Sequence, residues 1–230
     1  MSTTAMRWRL RAAAAALALL CVSGGSAAQS IPGYPDNILQ LDPREVARLP
    51  PYCIYTAHFR ESIPAGMNPI ESRRWQSLFG EVFQTLHHYC WGLMYLHRAK
   101  FLARDERIRN WNFSAAIHDF DYVLNFVDAR ALNDFILLPE ILTRKGEALV
   151  GLGRGARAVT EFERAIELRP DYWPAYAQLA DYYRDSDEPD RARAVLNAGL
   201  ARSPDTPALT RRLKELDDAV AHRGERARPR

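Results

Sequence analysis

Apolar and small side chains recur with helical spacing in the second half of the chain. Leu142, Gly146 and Leu149 share one face of a helix, and Gly146 allows a neighbouring helix to approach closely. The segment after it has similar spacing, with one large side chain between two small ones: Ala158, Phe162 and Ala165. Glycines separate the two segments, and Pro170 follows the second. The pattern predicts a helix–turn–helix pair in which Phe162 fills the space that the small residues leave.

The same pattern returns after 34 residues, with large side chains aligned on large ones and small on small. The aligned pairs are Leu142 with Tyr176, Gly146 with Ala180, Leu149 with Tyr183, Ala158 with Ala192, Phe162 with Leu196, Ala165 with Gly199, and Pro170 with Pro204. We therefore expect two helical hairpins in series, over residues 139–172 and 173–206.

Weaker patterns flank these two hairpins. Trp91, Gly92 and Tyr95 match the first helix of a hairpin, and the matches to its second helix follow after extra residues around 104–111: Ala116, Phe120 and Val123. Residues 87–130 are therefore expected to form a degenerate hairpin. After Pro204, an apolar stripe predicts a capping helix over residues 207–222: Leu209, Leu213, Leu216 and Val220.

The period and the order of the repeated residues resemble the tetratricopeptide repeat family. The resemblance implies an all-α fold, a short α-solenoid of two clear hairpins, one degenerate preceding hairpin and a C-terminal capping helix. Lys145 departs from the leucine that the family prefers, so its stem is expected to be partly exposed. Members of the family bind protein or peptide partners in the concave groove lined by the first helices. By resemblance, the groove residues are Glu140, Thr143, Glu147, Val150, Ala177, Gln178, Asp181 and Arg184.

The charges along this groove favour a basic or polar partner, because Glu147 and Asp181 are acidic. Family members that hold acidic peptide C-termini use lysines and asparagines at several of these places. Here those places hold Thr143, Glu147 and Gln178, so that kind of clamp is not expected. An alternative is a groove occupied by the chain's own N-terminal segment, through Tyr52, Tyr55 and Phe59.

Residues 1–28 have the order of a secretory signal peptide, with three arginines before an uncharged run and small residues at the end. The run Ala12–Val22 is too short to span a bilayer, which needs about 20 apolar residues. We expect cleavage near Ala28, a periplasmic or secreted protein that is not transmembrane, and a possible association with the cell envelope. Lipidation at Cys21 is disfavoured, because Leu20 stands where a small residue normally precedes such a cysteine.

Removal of this leader also changes the charge of the chain. Three of its 31 basic residues lie in residues 1–28, which contain no acid, so 28 basic residues remain against 28 acidic ones. A chain with no net positive charge gives no electrostatic indication of nucleic-acid binding. The arginines of residues 223–230 are expected to form a disordered, solvated tail.

The sequence pattern over residues 29–86 predicts an N-terminal extension with short helices. Residues 29–40 have no periodicity and are expected to form an extended lead-in. Asp42, Pro43 and Glu45 predict the start of a helix. Asp42 is expected to cap it, with the Glu45 side chain bonded back to the backbone of that capping residue. Further helical patterning runs from Ile70, is interrupted near Gly80, and resumes at Val82.

Cys53 and Cys90 remain after removal of the leader, and in an oxidising compartment a disulfide between them is favoured over two buried thiols. A metal site of His87, His88 and Cys90, with Cys53 nearby, is the sharper alternative, because thiolate and imidazole suit zinc or copper. Motifs for phosphate binding, serine hydrolases and metalloproteases are absent from the sequence.

The sequence therefore predicts a non-enzymatic interaction module, a scaffold or assembly factor of the periplasm or envelope, with no cofactor. The alternative is a metal-binding accessory protein or small enzyme that uses the two cysteines and two histidines, with a nucleophilic Cys53 as one form of it.

Overall fold

The structure is a computed structural model that describes residues 41–226, with side chains through residue 222. No strand occurs in this part of the chain. The α-helices are α1 (Pro43–Val46), α2 (Phe59–Ser62), α3 (Pro69–Phe79), α4 (Leu86–His97), α5 (Glu106–Asp128), α6 (Leu138–Gly151), α7 (Gly155–Leu168), α8 (Trp173–Asp185), α9 (Pro189–Arg202) and α10 (Pro207–Arg226). Short 3-10 segments cover Pro51–Tyr55, Pro64–Met67 and Gly80–Thr85, and a π-helical turn covers Arg98–Leu102.

Several predictions fall wholly or partly outside the described residues. The predicted signal peptide (1–28) and the predicted lead-in (29–40) both lie there. At the other end, α10 continues past the expected end of the capping helix at residue 222 to Arg226, and residues 227–230 of the predicted tail are not described.

From α4 onward, the chain forms a stack of helical hairpins. Helices α4 and α5, α6 and α7, and α8 and α9 pack as antiparallel pairs. The first helices also pack against one another, α4 on α6 and α6 on α8, and α10 continues the row against α8. The expected all-α solenoid of successive hairpins is thereby confirmed.

Glycine and phenylalanine interlock the two helices of a hairpin. A Cβ atom on Gly146 would lie 2.3 Å from Cε1 of Phe162, so the absence of a side chain is what admits the ring. The same arrangement recurs between Gly92 and Phe120, where the distance would be 2.4 Å. The α4–α5 pair therefore uses the same contact as the α6–α7 pair, although more residues separate its two members.

The extra residues of the α4–α5 pair lengthen its helices. Helix α4 runs directly into the π-helical turn Arg98–Leu102, and α5 has 23 residues where α7 has 14. Asp105 caps α5, since its side chain accepts a hydrogen bond from the backbone N–H of Ile108 at 2.8 Å. The insertion thus makes a longer hairpin instead of a separate loop domain.

Lys145 differs from the expectation of a partly exposed stem. Its residue is 9% exposed, and its Nζ lies 2.7 Å from both Asp121 of α5 and Glu161 of α7. One ammonium on α6 therefore binds a carboxylate on the helix before it and one on the helix after it. A charge is tolerated where the family prefers leucine because two opposite charges neutralise it.

The N-terminal extension packs on α4 through aromatic side chains and one covalent bond. Tyr52 is buried with its ring edge-on to Trp75 and Phe79, at centroid distances of 5.7 and 4.9 Å. Cys53 and Cys90 form the expected disulfide, with both residues fully buried. This bond joins the segment Pro51–Tyr55 to the middle of α4.

Candidate partner-binding groove

The candidate groove is the face formed by the first helices of the hairpins, α4, α6 and α8, together with the capping helix α10. Of the eight residues expected to line it, Thr143 and Ala177 are buried, at 2% and 1% exposure. Thr143 turns its hydroxyl back to donate to the Pro139 carbonyl at 2.8 Å. These two side chains therefore face the interior, which corrects their expected role. Val150 is exposed, and four others are partly exposed: Glu140, Gln178, Asp181 and Arg184.

Glu147, the last of the eight, is a buried carboxylate held between two basic groups. Its side chain is 4% exposed and accepts from Lys100 Nζ at 2.9 Å and from Arg144 Nη1 at 2.8 Å. Burial opposes the charge on Arg144, but Glu147 and Glu140 hold its pKa above the usual range. Because the carboxylate is already neutralised, Glu147 is not free to attract a basic partner.

Asp181 repeats this arrangement at the position 34 residues later. It accepts from Arg184 Nη1 at 2.7 Å and from Arg212 Nε at 3.0 Å. In both repeats, one basic group comes from the same helix and one from a neighbouring element. The expected preference for a basic partner, which rested on these two acids, is therefore not supported by their surroundings.

The sequence did not indicate the distant partners Lys100 and Arg212. Arg212 could have been found, because extending the 34-residue register into α10 places it at the position of Arg144 and Gln178. Lys100 lies in the π-helical turn, inside the insertion that interrupts the register, and the pattern gave no signal for it.

A pocket of about 430 Å³ opens at the α4 end of the groove. One wall is the N-terminal extension, and the other walls are α4 with its π-helical turn and α6. The lining residues are Glu45, Arg48, Leu49, Pro50, Leu93, Met94, Leu96, His97, Lys100, Phe101, Glu140, Arg144 and Glu147.

An ion pair fixes the extension at this pocket. Arg98 donates to both carboxylate oxygens of Glu45, at 2.6 Å each, and both side chains are nearly buried. Glu45 therefore does not return to the cap of α1 as expected; the Asp42 carboxylate accepts from the backbone N–H of Arg44 instead. The local helix start was predicted, but its acid binds a residue on another helix.

The alternative hypothesis was that the N-terminal extension fills the groove through Tyr52, Tyr55 and Phe59. The structure places these three residues elsewhere. Tyr52 and Phe59 are buried and Tyr55 is partly buried, and Phe59 packs against Trp91 of α4. Tyr52 packs on Trp75, within the aromatic cluster of the extension itself. It is the segment before them, Glu45–Pro50, that borders the pocket.

The histidines of the metal hypothesis are held by other contacts. His88 Nδ1 lies 2.8 Å from the Asp119 carboxylate, and His87 Nδ1 lies 3.1 Å from the Gln84 carbonyl. Both cysteines are in the disulfide, so neither presents a thiolate ligand. Between residues 41 and 222, no three His, Cys, Asp or Glu side chains lie close enough together to hold a metal ion. The geometry thus gives the metal-binding or catalytic alternative no support.

The family model described as Tetratricopeptide repeat matches residues 149–216. Residues 149–216 therefore belong to the tetratricopeptide repeat family. The match begins at the end of α6, covers α7, α8 and α9, and continues into α10. Tetratricopeptide repeats generally mediate protein–protein interaction. Comparison with curated proteins finds no match.

No described helix is both long and apolar enough to cross a membrane.

Proposed function

We propose that the protein is a non-enzymatic interaction module, a scaffold or assembly factor that binds a partner segment along the concave face of its helical stack. The observation that carries the proposal is the row formed by the first helices α4, α6 and α8 and continued by α10. This row presents partly exposed polar groups on α6 and α8 beside an open pocket. Solenoids of helical hairpins bind extended segments on such a face.

Site-specific photocrosslinking tests the proposal. A photoreactive amino acid is placed at Val150 or Gln178 on the concave face, and at Glu167, an exposed residue of the second helix α7, as the matched control. We expect the two concave positions to crosslink the same partner, and mass spectrometry to place both crosslinks in one short segment of it. Equal crosslinking at Glu167, or no common partner, would contradict the proposal.

A charge reversal in the groove separates specific binding from proximity. Arg184→Glu replaces the partner of Asp181 by a second carboxylate and reverses the charge at this place in the groove, so it should change the yield of the crosslink from Gln178. The same substitution at Arg157, an exposed position on α7, should leave that crosslink unchanged.

We further propose that the protein works in the bacterial periplasm or envelope after removal of residues 1–28. The order of basic, apolar and small residues in this leader supports export. The disulfide between Cys53 and Cys90 is also typical of an oxidising compartment. N-terminal sequencing of protein from a bacterial periplasmic fraction should begin at Gln29; a first residue of Met1 or Ser2 would contradict export by this route.

A further inference from the structure

Basic and acidic side chains line the pocket at the α4 end of the groove in equal number, but the basic ones are more exposed. Lys100 and Arg144 are each 40% exposed, whereas Glu147, which they share, is 4% exposed. Glu45, which Arg98 neutralises, is 11% exposed. Glu140, the third acid, is 29% exposed and lies 4.0 Å from Arg144. A partner that approaches the pocket therefore meets more exposed positive charge than negative charge.

Arg48 of the N-terminal extension adds to this positive charge. It is exposed, it lines the pocket, and no carboxylate of the described residues lies within ion-pair distance of it. His97 lies close by, and burial together with the charge of Arg48 lowers its pKa. The pocket thus has, on the extension, a guanidinium with no carboxylate partner among the described residues, in addition to Lys100 and Arg144.

Apolar groups border the same opening. The ring of Phe101, at 68% exposure, is among the most exposed large apolar side chains in the described part of the chain. Leu49, Pro50 and Leu93 line the pocket beside it. An occupant that neutralises the bases can therefore also bury an apolar side chain against Phe101.

We propose that this pocket binds an aspartate or glutamate side chain of an extended partner segment, between Arg48, Lys100 and Arg144. An apolar residue next to that carboxylate packs on Phe101. The inference rests on the proposed function and adds the chemistry of the partner. Two of the three basic residues of this pocket come from the extension and the π-helical turn. The absence of basic residues at Thr143 and Gln178 therefore does not argue against a carboxylate-binding pocket here.

Selection of peptides tests this assignment even though the partner is unidentified. A display library of random linear peptides is selected against the oxidised protein that lacks only residues 1–28. We expect the enriched peptides to share an Asp or Glu next to an apolar residue. Remaking each peptide with Asn or Gln at that position should weaken binding about tenfold or more, the usual effect of removing a charge-assisted hydrogen bond.

Variants of the protein locate the binding site. Arg48→Gln and Lys100→Gln should each weaken binding of the selected peptides by a similar factor, and Arg157→Gln on α7 should leave it unchanged. Circular dichroism of each variant, compared with the parent protein, checks that the fold is retained. Arg48 is exposed and lies on the extension, so its loss should not unfold the chain.

The outcomes separate this inference from the proposed function. Peptides that tolerate Asn and Gln, or that depend on Arg184 but not on Arg48 and Lys100, would overturn the carboxylate pocket and leave the interaction module standing. Displacement of the peptides by free glutamate at equal concentration would overturn it too, because the site would then recognise a small acid. Failure to enrich any peptide would also overturn it, while the crosslinks from Val150 and Gln178 would still decide the proposed function.

Discussion

Replacing Gly146 by alanine places a methyl group against the ring that interlocks α6 and α7. The new Cβ would lie 2.3, 2.7 and 2.7 Å from three ring carbons of Phe162, and real Cβ atoms do not approach so closely. Phe162 is fully buried, so its ring cannot relieve the contact by turning toward solvent. The same substitution at Gly92 brings its Cβ to 2.4, 2.7 and 3.0 Å from Phe120.

The net effect of either single substitution is small because two terms oppose each other. Overpacking costs about 1–3 kcal/mol, and alanine recovers about 1 kcal/mol of helix propensity relative to glycine. The expected loss of unfolding free energy is therefore about 0–2 kcal/mol, a range that reaches zero. The coupling energy between Gly146→Ala and Phe162→Leu tests the contact better than either single change. Phe162→Leu removes the ring atoms that the added methyl group would meet.

A double-mutant cycle measures that coupling. Urea unfolding followed by circular dichroism gives the free energy of unfolding for Gly146→Ala, Phe162→Leu, the double variant and the parent. We expect the double variant to be more stable than additivity predicts, by about 1 kcal/mol or more. The pair Gly92 and Phe120 should show a similar coupling energy, because the same kind of contact joins them.

A cross pair supplies the control. Gly92→Ala combined with Phe162→Leu changes α4 and α7, which do not share this contact, so the two effects should add within about 0.5 kcal/mol. Additivity in the contacting pairs, or equal coupling in the cross pair, would refute the interlock as the basis of the hairpins.

Three further predictions concern the disulfide, the shared ammonium and the histidines. Replacing both Cys53 and Cys90 by serine should lower the free energy of unfolding by about 4 kcal/mol, the loop-entropy value for a separation of 37 residues, and urea titration against the oxidised parent checks it. Lys145→Met leaves its two carboxylates without a cation and should cost about 1–3 kcal/mol, between an exposed and a buried ion pair; adding Glu161→Gln should restore part of the loss. Burial, followed by its histidine neighbours, lowers the pKa of His87 from 6.5 to about 4, so the unfolded chain takes up a proton in that pH window that the folded chain does not. Stability should therefore fall as the pH drops from 6.5 to 4, and His87→Gln should flatten that slope.

The contacts within a hairpin could be predicted from the sequence, because they follow helical spacing. Gly146 and Phe162 were recognised by their return 34 residues later as Ala180 and Leu196, and the structure packs the first pair as expected. The degenerate copy was recognised from the order of its large and small residues around Gly92 and Phe120, although extra residues interrupt the 34-residue period. Local spacing specifies these contacts, so one sequence is enough to find them.

The charged contacts of the groove could not be predicted in the same way. Glu147 and Lys100 are 47 residues apart, and Asp181 and Arg212 are 31 apart, so each pair depends on how one hairpin stacks on another element. The pattern showed two acids on a helix face but not the bases that neutralise them. Lys145 illustrates the same limit, since its two carboxylates lie on the helices before and after its own.

The proposed carboxylate pocket lies outside the segment by which the family is recognised. A fragment trimmed to residues 149–216 would keep that segment and lose Arg48, Lys100 and Arg144 altogether. Two proteins with equally similar repeats could therefore select different ligands according to what precedes those repeats, and sequence comparison aimed at specificity should begin at Leu41.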